Sequence, residues 1–70
     1  MKILAQNGAD VRLTVRDAGR TLCNSANRYA GDPALYVTAG KPRKLVIQTH
    51  GRMRKIPLSR DAEILVEEVS

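Results

Sequence analysis

The chain has 70 residues, with two Tyr, one Cys, one His, no Phe or Trp, and a formal net charge of +5 at pH 7. Those numbers exclude a second hydrophobic core, a disulfide within the chain and a structural zinc site built from three or four Cys and His ligands. No stretch approaches the ~20 apolar residues that a membrane-crossing helix needs, and the opening Met1-Lys2-Ile3-Leu4-Ala5 turns polar at Gln6-Asn7-Gly8, too soon for a signal-peptide core.

The expectation is therefore one small basic domain over residues 1–70, its lone Cys23 suited to a reducing, cytoplasmic setting. A core made of Ile, Leu and Val without large aromatics is thin, and chains this short commonly add a metal, a disulfide or a partner. With the first two excluded, homodimerisation becomes the expected supplement.

In chain order, Ile3 to Val15 reads as a hairpin. Asn7-Gly8 is the two-residue signal for a type I′ turn, which pairs Leu4 with Val11. The second arm alternates, with Val11, Leu13 and Val15 on one face and Arg12, Thr14 and Arg16 on the other. Asp17 to Arg20 then breaks the strand. A turn at Ala18-Gly19 sets Asp17 opposite Arg20 and Val15 opposite Leu22, and a three-residue loop with a left-handed Gly19 is the alternative.

Residues 21–30 read as a short strand followed by a polar loop. The alternative is a helix carrying Leu22, Ala26 and Tyr29, against which Asn24, Ser25 and Asn27 compete for backbone hydrogen bonds. Gly31-Asp32-Pro33 is punctuation. Ala34 to Thr38 is a strand, closed by Ala39-Gly40-Lys41-Pro42. Leu45 to Thr49, a turn at His50-Gly51, and Arg52 to Ile56 form a hairpin. A two-residue loop there pairs Leu45 with Ile56, and a three-residue loop pairs Val46 with Ile56. In both registers Arg52 and Arg54 share one face, Met53 and Lys55 the other. Pro57 marks an edge.

The last segment, residues 59–69, fits either a helix capped by Ser59 or a strand at Ile64-Leu65-Val66. The β-branched cluster favours the strand. Five or six short strands, with at most one short helix, predict an all-β or mainly β fold: a small antiparallel meander or barrel.

Charge is concentrated. Residues 41–60 hold seven bases and no acid, whereas residues 61–70 hold four acids. The cationic hairpin at 41–55 suits a polyanion, because Arg forks and Lys ammoniums at strand spacing can meet successive phosphates. Arg43, Lys44, Arg52, Arg54 and Lys55 are the candidate contacts, with His50 as an extra donor whose charge grows in mild acid. With only Tyr29 and Tyr36 available, base stacking is a minor contribution, so contacts to a DNA or RNA backbone dominate. Two readings compete with this. The bases can protect an edge strand from aggregation, or dock on an acidic protein partner, with the acidic tail folding back on the hairpin or meeting a second subunit.

No catalytic residue, cofactor motif or metal cluster stands out. Cys23 and His50 have no spacing that argues for a nucleophile and base, and Asp10, Asp17 and Asp32 lie where carboxylates cap turns. The sequence thus points to a small regulatory or accessory binding protein and not to an enzyme.

Overall fold

The computed structural model describes residues 1–49 and 51–69. Seven strands account for most of them: β1 (Lys2–Ala5), β2 (Asp10–Asp17), β3 (Arg20–Arg28), β4 (Leu35–Val37), β5 (Lys44–Thr49), β6 (Arg52–Pro57) and β7 (Glu63–Glu68). They form two antiparallel sheets, one of four strands in the order β1-β4-β5-β6 and one of three in the order β3-β2-β7. The all-β expectation holds, but the strands number seven rather than five or six, and no helix occurs among the described residues. Consecutive strands do not simply neighbour one another, because the chain changes sheets after β1, after β3 and after β6.

The pleat explains the core. Alternation on β2 turns Val11, Leu13 and Val15 inward, all buried. Leu35 and Val37 of β4 and Leu45 and Ile47 of β5 meet them from the other sheet, and Ala5, Tyr29, Ala34 and Leu58 fill the periphery. Leu4 and Ile64 pack against this cluster from the side where β1 lies near β7.

The first predicted hairpin is not formed. β1 pairs with β4, opposing Lys2 to Val37 and Ile3 to Tyr36, while β2 pairs with β3 and β7. Gln6 to Ala9 is a true turn, with the Ala9 amide donating to the Gln6 carbonyl at 3.0 Å. However, Gly8 has φ +87° whereas Asn7 is not in the positive-φ region. A type I′ turn needs both central residues there. This turn instead carries the chain from one sheet to the other, and Tyr29 straps it down by donating its amide to Ala9 and accepting from Gly8.

The second predicted turn is of type I′. Ala18 (φ 53°) and Gly19 (φ 78°) are both left-handed, and Asp17 opposes Arg20. Holding alanine in that conformation costs about 1 kcal/mol relative to glycine. Val15 opposes Cys23 rather than Leu22, because a bulge inserts one extra residue into β3 just past the turn. The strand then continues through Arg28 instead of giving way to a loop. Its inward positions Cys23, Ser25 and Asn27 are polar, yet they partner one another: Asn27 Nδ2 donates to Ser25 Oγ at 3.1 Å, and Cys23 Sγ lies 3.7 Å from the same oxygen. Tyr29 continues this alternation. Burial pushes its phenol above the ordinary value, and hydrogen bonds with Asn27 and Ser25 pull the other way.

The tail is a strand, as the β-branched cluster predicted, running beside β2 with Glu67 opposite Arg12 and Glu63 opposite Arg16. It therefore does not fold onto β6. The one salt bridge among the described residues joins Arg28 to Asp10 at 3.2 Å, both exposed.

Candidate polyanion-binding face

The β5–β6 hairpin takes the two-residue register: Leu45 opposes Ile56, Val46 opposes Lys55, Ile47 opposes Arg54 and Thr49 opposes Arg52. His50, named above as an extra donor, lies outside the described residues. Because side chains alternate, the predicted cluster divides between two faces. Lys44 and Lys55 stand on the outer face with Val46, away from the core. Arg52 and Arg54 follow the core-facing set of β6, but at the sheet margin, where both are exposed. Arg43 precedes β5, and its Nη2 donates to the Ser59 carbonyl at 3.2 Å. It is tied to the loop before β7 and is the least available of the five.

β6 is an edge strand. The Leu58 amide reaches the Arg43 carbonyl at 2.8 Å, so Pro57 next to it turns its missing donor outward. Lys55 and Pro57 on this edge discourage strand addition, which gives the edge-protection reading a concrete basis.

What sequence reasoning missed is the outer face as a unit. One row crosses all four strands, Ile3 to Tyr36 to Val46 to Lys55, each directly opposite the next. Val46 is 1% exposed although it does not belong to the core cluster. On its own face it is directly opposed by Tyr36 and Lys55, positions whose Cβ atoms lie about 5 Å apart. Ile3 (46% exposed) begins the row, Met53 (55%) lies beside it, and Tyr36 within it is half-buried. Gln48, opposite Met53, donates through Nε2 to the Pro33 carbonyl at 3.0 Å and fixes the adjoining loop.

Charge segregates by sheet. The strands of the four-stranded sheet carry Lys2, Lys44, Arg52, Arg54 and Lys55 and no carboxylate, whereas those of the three-stranded sheet carry four Arg against five acids. The signal was present in the sequence, because residues 1–9 and 33–60 contain no Asp or Glu. Without knowing that β1 joins β4, β5 and β6, nothing linked those two segments.

Asp17, expected to cap its own turn, instead reaches across to the loop before β7. Its carboxylate accepts from the Ser59 amide at 3.2 Å and from the Ser59 hydroxyl. Those hydrogen bonds hold the Asp17 carboxyl below the ordinary value of 3.8, with burial opposing and Arg20 adding a smaller pull in the same direction. A depressed folded-state pKa stabilises the protein above the unfolded value, and that contribution is lost as pH falls through the folded value. Urea midpoints followed from pH ~5 to pH ~2 should therefore fall for the wild type and fall less steeply for Asp17→Asn. Parallel curves would assign the acid sensitivity to other carboxylates.

Comparison of the chain with protein-family models, with curated proteins and with solved structures finds no match in any of the three.

Proposed function

We propose that the chain is a small regulatory or accessory binding protein that grips a nucleic-acid backbone with its four-stranded sheet, and that it does no catalysis of its own. The observation that carries this reading is the segregation of charge: five cations and no carboxylate on the strands of one sheet, beside a near-balanced second sheet. Edge protection accounts for Lys55 and Pro57, but it gives no reason for Lys44 on β5, an interior strand of that sheet. A local field of one sign also attracts polyanions more strongly than the same net charge spread evenly. The setting that suits a free Cys23 is cytoplasmic, and a homodimer would place two such sheets on one ligand, multiplying the number of phosphates met.

The test is a fluorescence-anisotropy titration of labelled DNA and RNA at several salt concentrations. It compares wild type with a variant in which Lys44, Lys55, Arg52 and Arg54 are replaced by Gln. Binding below ~10 μM near physiological salt is expected, with a log–log salt slope of about −0.9 per neutralised phosphate on duplex DNA. The variant should lose at least ~10-fold in affinity and about one unit of slope for each contact removed. No binding by the wild type, or equal binding by the folded variant, overturns the reading. It would favour the rival, an acidic protein partner anchored on exposed apolar groups such as Met53.

A further inference from the structure

We infer that the ligand of the outer face is a single-stranded nucleic acid, with Tyr36 stacking on a base and Lys44 and Lys55 holding the flanking phosphates. This rests on the polyanion reading above and specifies which form of nucleic acid the site takes.

The outer face is a broad four-stranded surface rather than a projecting ribbon. A major groove admits a helix or a two-stranded ribbon, so a sheet this wide meets a duplex only along its phosphate ridges. Splayed bases, by contrast, need a flat support with an aromatic ring, apolar neighbours and cations around it. All three are present on one face. Tyr36 stands between Ile3 and Val46 in the row that crosses the sheet, and Lys55 ends that row. Lys44 lies two residues from Val46 along β5 and therefore on the same face. With strands about 4.8 Å apart, the row from Ile3 to Lys55 spans about 14 Å, enough for a short run of nucleotides.

The exposed side chains also fit this ligand better than a duplex. Ile3 and Met53 leave roughly half of their surfaces open on this face, and a phosphate ridge offers them nothing apolar. Unstacked bases do, whatever their identity, because each has an apolar π face. The arrangement predicts weak sequence preference, with affinity divided between stacking and charge.

The test uses a labelled RNA strand of about 12 nucleotides, the DNA strand of the same sequence, and their duplexes. Wild type is compared with Tyr36→Leu, which keeps apolar bulk on the sheet, and with Tyr36→Phe, which keeps the ring. The single strands should bind more tightly than the duplexes. Tyr36→Leu should weaken single-strand binding about tenfold and leave duplex binding unchanged, while Tyr36→Phe restores it. Circular dichroism confirms that both variants fold. If wild type prefers the duplex, or folded Tyr36→Leu binds single strands as well as wild type does, the inference fails while the backbone-grip reading stands. If no nucleic acid binds wild type, that reading fails first and this one with it.

Discussion

Leu13→Ala should leave the protein close to the edge of folding. Leu13 is fully buried at the middle of β2, the one interior strand of the three-stranded sheet, between Ser25 of β3 and Val66 of β7. Deleting a buried leucine's methyl groups loses transfer free energy and leaves a cavity, together about 3–5 kcal/mol. A 70-residue domain has about 4–10 kcal/mol in total. The chain has no Phe or Trp, and the inward residues beside Leu13 on β2, Val11 and Val15, are short, branched and held on a paired strand, so little can move in to fill the space. A fall in Tm of roughly 15–25 °C is expected by circular dichroism. A fall of less than about 5 °C would mean that the two sheets close over the gap and that the core is less tightly packed than its burial implies.

Gly31→Ala should be nearly as damaging, for a different reason. Gly31 has φ +142°, a backbone conformation that L residues rarely adopt, and a Cβ built there would lie 2.6 Å from Gln48 Oε1. The neighbour is not free to swing away without loss. Its amide nitrogen holds the Pro33 carbonyl, while its backbone takes a hydrogen bond from Ala30 and gives one to Ala34. Strain of about 1–3 kcal/mol and a lost hydrogen bond of about 1 kcal/mol are both expected.

Gly8→Ala supplies the control. Its φ is +87°, but nothing lies within 4 Å of the added Cβ, so only the backbone part of the penalty applies. Urea midpoints should therefore rank wild type above Gly8→Ala and Gly8→Ala above Gly31→Ala. Shortening Gln48 to Ala in the Gly31→Ala background should make the combined cost less than additive. Additive costs would show that the two side chains do not collide.

These two sites also show what could be read from the residues alone. Leu13 was legible, because strict alternation on β2 marks its inward face without reference to any other strand. The hairpins joining β2 to β3 and β5 to β6 were legible for the same reason, each being decided within a few residues, although the choice between a two- and a three-residue loop was fixed only by the pairing of the strands. Asn7-Gly8 misled. The dipeptide permits a type I′ turn, but β4 competes successfully for β1 from some 30 residues further on. The full length of β3 is hidden in the sequence because Ser25 and Asn27 look like loop residues, and only the fold shows them on a strand with side chains hydrogen-bonded to Tyr29.

The candidate site was half legible for a related reason. Its charges were plain, and the pleat correctly separated Arg52 and Arg54 from Lys55. The Tyr36 row depends on four strands drawn from three separate stretches of chain, and no local rule assembles those.

The partnership of β2 with β7 sets the order in which the protein can be made. Val11 waits for Glu68, and Leu13 for Val66, almost the whole described length away. Until residues 63–68 have left the ribosome, β2 and β3 form a sheet of only two strands, with one flank of β2 open to any passing strand. The inward face is thus specified among the first fifteen residues described and secured among the last seven. During the interval the nascent chain must be either shielded or fast.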